Sequence, residues 1–116
     1  MPHILSVSYG AILLSTRQML LESRGYTVTS AGGYIEALRK CRAAGYDLLI
    51  MGHSIPHDDK KAIVDEMRQH CSAPVLALLR ANEPELTIAN QSVEASRPDL
   101  LLAAVESLMQ RPPSAD

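Results

Sequence analysis

Tyr46-Asp47-Leu48-Leu49-Ile50-Met51, followed by Gly52-His53-Ser54-Ile55-Pro56, is the stretch that decides the fold. Residues 48–51 are four consecutive apolar side chains without polar alternation, bounded by Asp47 and a loop with glycine and proline. A short run of this kind reads as a β-strand covered on both faces, as in a parallel sheet with helices on either side. Toward the C-terminus, 60–69 reads as a helix with Ile63, Val64 and Met67 inward, and Pro74 introduces a second such strand, Val75-Leu76-Ala77-Leu78-Leu79.

Toward the N-terminus the same units repeat. Residues 34–44 read as a helix, with Ile35, Leu38 and Cys41 on one side, Glu36, Arg39, Lys40 and Arg42 mostly on the other, and Gly45 as its stop. Tyr26-Thr27-Val28-Thr29 is β-branched and alternating, which suits an edge strand. Residues 11–24 carry Leu13, Leu14, Leu20 and Leu21 on one helical face, closed by Gly25 as a left-handed cap, and Ile4-Leu5-Ser6-Val7 reads as the first strand. Beyond residue 79, the stretch 80–91 contains Pro84 and Asn90 and has little helical period. Ser92-Val93-Glu94 reads as a short edge strand, and Pro98-Asp99 opens a last helix with Leu101, Val105 and Leu108 inward. Residues 1–110 form the expected domain and 111–116, with Pro112-Pro113, a disordered tail.

Alternating strands and helices make βαβ units and hence a parallel sheet. Two central strands, an edge at 26–29 and a late edge at 92–94 fit a doubly wound, flavodoxin-like five-stranded sheet in the order 2-1-3-4-5. Its ligand crevice lies at the carboxyl ends of strands 1 and 3, here Ser8-Tyr9-Gly10 and Gly52-His53-Ser54.

The composition narrows the function. A chain of 116 residues with 47% apolar content is one domain with a real core, not a disordered chain. With no Phe or Trp the core is aliphatic, and only four Tyr could stack on bases. A net charge of −2 and no Lys/Arg stripe argue against nucleic acid. No stretch is apolar enough to span a membrane and no basic–apolar leader opens the chain, so a cytoplasmic protein without membrane contact is expected. Cys41 and Cys71 allow one disulfide by count, but two isolated residues in helical patterns are expected to be free thiols.

Taken together, several short motifs resemble the receiver domain of two-component response regulators over about residues 3–109. They are Leu20-Leu21-Glu22-Ser23-Arg24-Gly25-Tyr26-Thr27-Val28, Glu36-Ala37-Leu38, residues 46–51 with Pro56, Pro74-Val75-Leu76 and Pro98-Asp99-Leu100-Leu101. The resemblance implies an aspartyl-phosphate site with Mg²⁺, yet each position it assigns is altered. The acidic pair falls on Ser8 and Tyr9, the phosphoacceptor on Gly52, the hydroxyl residue on Leu79, the lysine on Glu94 and the aromatic switch near Gln91. Gly52 has no nucleophile, Ser8 and Tyr9 bring no charge to a cation, and Glu94 would repel a phosphoryl group. The segment between Leu79 and Glu94 is also about two helical turns too short for the family pattern, so helix 4 is expected to be absent or reduced to a turn.

The loop with His53, Ser54, His57, Asp58 and Asp59 invites a metal or hydrolytic reading. No ligand spacing or nucleophile elbow is present, so a polar loop with Asp58 or Asp59 capping the next helix is preferred, and His57 could be a surface residue. Tyr9 is expected to fill the space of the absent metal site. The leading expectation is a non-catalytic module, without cofactor or metal, that acts by contact with a signalling protein or a second copy. Its expected contact surface is a flank of strands 4 and 5 left bare by the missing helix, beside Leu100 and Leu102. The alternative is a small-ligand or metal-binding domain, or a weak enzyme, using the crevice.

Overall fold

The computed structural model describes residues 2–109; the expected tail, 111–116, lies outside them. The strands β1 (His3–Val7), β2 (Thr27–Ala31), β3 (Leu48–Met51), β4 (Val75–Leu79) and β5 (Gln91–Glu94) pair in parallel in the order β2-β1-β3-β4-β5. Between them run α1 (Ala11–Glu22), α2 (Tyr34–Ala43) and α3 (His57–Met67), and α4 (Pro98–Met109) follows β5. Among the described residues no helix is long and apolar enough to cross a membrane.

The period of two along each strand divides the core into two layers. Val7, Leu49, Met51, Val75 and Ala77 meet Ala37 and Cys41 of α2 and Ile63, Val64 and Met67 of α3. Ile4, Leu48, Ile50, Leu76 and Leu78 meet Leu21 of α1 and Leu101, Ala104, Val105 and Leu108 of α4. Residues 48–51 serve both layers in turn, which is why no polar residue interrupts them. Gly25, at φ 92, takes the left-handed turn between α1 and β2, with its N–H donating to the Glu22 carbonyl.

Several local expectations need correction. The helix expected from residue 60 begins at His57, so much of the supposed loop is its first turn. Pro56 precedes that helix and no side chain caps it; Asp58 and Asp59 lie in the first turn, where a carboxylate favours the helix dipole. On α2 the inward pair is Ala37 and Cys41, while Ile35 is 78% exposed. On α1 the buried stripe is Leu14, Arg17 and Leu21, so a cation occupies a position that the leucine pattern had left to the surface. The two cysteines are not free thiols: the sulfurs of Cys41 and Cys71 are joined, with Cα atoms 6.3 Å apart.

No helix forms between β4 and β5, as the shortness of that segment requires, but the flank is not bare. Leu86 from this connection is 1% exposed and joins Val75 and Ala77 in the core, with Ile88 and Ala89 packed beside it. One inserted leucine thus does the covering work of a helix face, and the uncovered flank expected as a contact surface does not exist. Asn90 holds the end of the connection: its Oδ1 accepts from the Val75 N–H at 2.8 Å and from Arg68 at 3.0 Å. Leu86→Ala should therefore cost about 3 kcal/mol, a core-type loss, measured as a lower urea midpoint with an unchanged slope. A loss under about 0.5 kcal/mol, the size typical of surface changes, would make the connection a loose cover.

Candidate functional site

At the carboxyl ends of β1 and β3 the chain ties a knot of short hydrogen bonds. The Ser8 N–H donates to the Ala31 carbonyl at 3.1 Å and the Gly52 N–H to the Val7 carbonyl at 2.7 Å, which continues the sheet past its formal ends. Ser54 then reaches back from the β3–α3 turn. Its Oγ accepts from the Tyr9 N–H at 2.9 Å and donates to the Tyr9 carbonyl at 2.8 Å. With that proton committed, Ser8 Oγ is the donor in the 2.6 Å bond between the two hydroxyls. Ser8 is fully buried, so its hydroxyl needs this partner.

The knot fills the crevice. A Cβ at position 52 would lie 2.6 Å from Ser8 Oγ, 2.8 Å from Ser8 Cβ and 2.9 Å from the Val7 carbonyl oxygen. Glycine is the residue this packing accepts. Tyr9 lies over the mouth and donates its hydroxyl to Asp59 Oδ2 at 3.3 Å. Burial raises the Tyr9 pKa, and the Asp59 charge and hydrogen bond raise it further; the phenol stays neutral.

A second network lies beside the first. Lys60 of α3 is wholly buried, and its Nζ donates to the Leu78 carbonyl and to Glu83 Oε2, both at 2.7 Å. Glu83 also accepts from the Arg80 N–H at 2.9 Å and meets His57 Nδ1 at 3.1 Å. Burial pushes the Glu83 carboxyl up, but the bonds from Lys60, Arg80 and His57 together outweigh it and hold the pKa at about 2. Burial pulls the Lys60 ammonium down, opposed by Glu83. Arg80 completes the clamp by donating from Nε to the His53 carbonyl at 2.8 Å and from Nη2 to the Ser54 carbonyl at 3.2 Å. The β4–β5 connection is thereby fastened to α3 and to the loop after β3.

The sequence-assigned positions divide clearly. Ser8, Tyr9, Gly52, His53 and Ser54 come together. Leu79 ends β4 half-buried against the α2–α3 layer, and Glu94 ends β5 exposed. Gln91, near which the resemblance puts the aromatic switch, begins β5. Asp58 is on the outside of α3, while His57 is half-buried on Glu83 and is no free surface residue. Burial, then the charges of Arg17, Arg80 and Lys60, lower the His53 pKa, and its buried Nδ1 has no hydrogen-bond partner. Sequence reasoning missed Lys60, Arg80, Glu83 and the buried Arg17, whose Nη1 donates to Ser6 Oγ at 3.2 Å and whose pKa burial lowers to about 10. The one signal for Lys60 in the sequence was its spacing, three, four and seven residues before Ile63, Val64 and Met67 on the buried face of α3.

The Mg²⁺ that this type of fold implies finds no fitting donor set here. A hard cation seeks carboxylate oxygens; the crevice offers the committed Ser8 hydroxyl, the Tyr9 backbone and a glycine without room for a side chain. Among the described residues no three His, Cys, Asp or Glu side chains converge as ligands would.

A parallel sheet in this order, with its crevice at the ends of β1 and β3, defines a doubly wound, flavodoxin-like α/β domain. Within that class the chain has the fold of response-regulator receiver domains. It is similar to a two-component response regulator from Clostridium difficile, at TM-score 0.85 and 19% identity over 98% of this chain and 100% of the other. It is similar to the response regulator TrrA from Thermotoga maritima, solved in complex with Mg²⁺ and BeF, at TM-score 0.79 and 24% identity over 93% and 99% of the two chains. A chemotaxis protein from Vibrio cholerae matches at TM-score 0.73 and 22% identity, over 93% and 98%. No protein-family model and no curated protein matches the sequence.

Proposed function

We propose that this chain is a signalling module of the receiver type that works by protein contact in the cytoplasm and neither accepts a phosphoryl group nor catalyses a reaction. The observation that carries the reading is the packing at Gly52: the place of a phosphoacceptor side chain is taken by Ser8, and among the described residues no three His, Cys, Asp or Glu side chains converge to hold a cation. The Lys60–Glu83 clamp supports it. The buried Lys60 ammonium spends two of its three N–H donors on a carbonyl and an internal carboxylate, so its charge is already balanced within the fold. The alternative of a ligand-binding or weakly enzymatic crevice needs open space between Ser8, Tyr9 and Gly52, and the hydroxyl knot fills it.

The partner is a signalling protein or a second copy. A chain in the solved structure of the histidine kinase ThkA in complex with the response regulator TrrA is similar to this one, at 23% identity and TM-score 0.80 over 95% of this chain. Incubation with acetyl phosphate and Mg²⁺ should leave the intact mass unchanged. A gain of one phosphoryl group mapped to residues 52–59 would overturn the proposal.

A further inference from the structure

Cys41 stands on the inner face of α2 and is 3% exposed; Cys71 follows the end of α3 and is half-buried. Their Cα separation, 6.3 Å, lies within the ~4.4–6.8 Å span of natural disulfides. Each sulfur also has a backbone acceptor. Cys41 Sγ is 3.9 Å from the Met67 carbonyl oxygen and Cys71 Sγ is 3.4 Å from that of Cys41. When the bond opens, each S–H has an oxygen to donate to, so neither state leaves a buried polar group unpaired. A cation stands in the neighbourhood: Arg42 follows Cys41, and its Nη2 lies 3.1 Å from Nε2 of His70, which precedes Cys71. Positive charge nearby favours the thiolate, the reactive form.

We propose that Cys41 and Cys71 form a reversible dithiol–disulfide couple that exchanges with low-molecular-weight disulfides of the glutathione class. The difference in burial assigns the roles. The Cys71 thiolate attacks one sulfur of the small disulfide, forms a mixed disulfide and expels one small thiolate. Cys41 then loses its proton to solvent, and its thiolate attacks Cys71 Sγ and expels the second small thiolate. The protein is oxidised by loss of two hydrogens, and the small disulfide is reduced to two thiols; excess small thiol runs both steps backward. Closure ties the last turn of α2 to the end of α3, across 30 residues of chain. In a reducing compartment such bonds are usually transient and redox-sensing. The inference is independent of the phosphoryl chemistry and stands or falls separately.

The full chain, reduced with dithiothreitol and freed of it, is treated in native buffer with oxidised glutathione and followed by intact mass and iodoacetamide trapping. The wild type should lose two hydrogens and retain no glutathione. Cys41→Ser should retain one glutathione at Cys71, whereas Cys71→Ser should react at least about tenfold more slowly, because its remaining thiol is buried. Dithiothreitol without denaturant should restore two alkylatable thiols. Stable mixed disulfides on the wild type, disulfide-linked dimers, or a bond that opens only in denaturant would each overturn the couple. The wild-type measurements decide the matter even if a serine variant fails to fold.

Discussion

Gly52→Asp, which would put a carboxylate where the receiver resemblance places the phosphoacceptor, is expected to destabilise the domain by about 3 kcal/mol or more and to leave it unphosphorylated. The new Cβ would meet Ser8 Oγ, Ser8 Cβ and the Val7 carbonyl oxygen, all at 2.9 Å or less. The hydroxyl alone could rotate aside, but Ser8 Cβ and the carbonyl belong to the end of a buried strand, and moving them disturbs the β1–β3 pairing. The carboxylate would also be buried among hydroxyls already committed to one another. Urea unfolding gives the cost, and intact mass after acetyl phosphate and Mg²⁺ gives the chemistry. Ser8→Gly added to Gly52→Asp removes two of the three clashes and should recover part of the lost stability. A single variant as stable as wild type would show that the crevice is soft and that its filling decides nothing.

Glu83→Gln should cost about 3 kcal/mol near pH 7, because it keeps the shape of the side chain and leaves the Lys60 ammonium buried without its countercharge. The pH dependence follows from the sign of the Glu83 shift. Its pKa falls from 4.5 unfolded to about 2 folded, so its contribution is fully present above about pH 4.5 and is lost as pH falls toward 2. The shift corresponds to about 3 kcal/mol. The wild type should thus lose stability across that acid window, while Glu83→Gln lacks this share of the loss, so the two unfolding curves draw together near pH 2. Replacing the pair at once, Lys60→Met with Glu83→Leu, should cost much less than Glu83→Gln alone, since burial of the ammonium already works against the pair. Single and double losses that simply add would exclude the direct coupling drawn here.

Where apolar period and turn residues alone decide, the sequence was enough to read the architecture. Residues 48–51 and 75–79 could only be central strands, Gly25 could only be a turn, and the order of the sheet followed. The crevice positions Ser8, Tyr9, Gly52 and Ser54 came from the same reasoning, because topology places strand ends. What they do there was not legible. Two serines and a tyrosine backbone bond one another across 46 residues of chain, and no local pattern encodes such a pairing. Lys60 and Arg17 were lost for a related reason: a charged residue on a helix is assigned to solvent unless its partner is known, and those partners lie on other elements. Leu86 stood in a stretch without period, where one buried side chain leaves no repeating signature. The cysteines were misjudged because proximity in space, not spacing in sequence, makes a disulfide.

In ordinary switching proteins a loop beside the site has two seats of nearly equal depth, and a signal tips the balance between them. The connection after β4 here has a single deep seat, with Glu83 on a buried ammonium and Arg80 on two carbonyls. If about 3 kcal/mol holds it, the displaced arrangement is present in fewer than about one molecule in a hundred, and any ligand that needs that arrangement has its affinity divided by the same factor. On the function proposed above, such a module would signal by being bound or free, and not by a rearrangement of this connection.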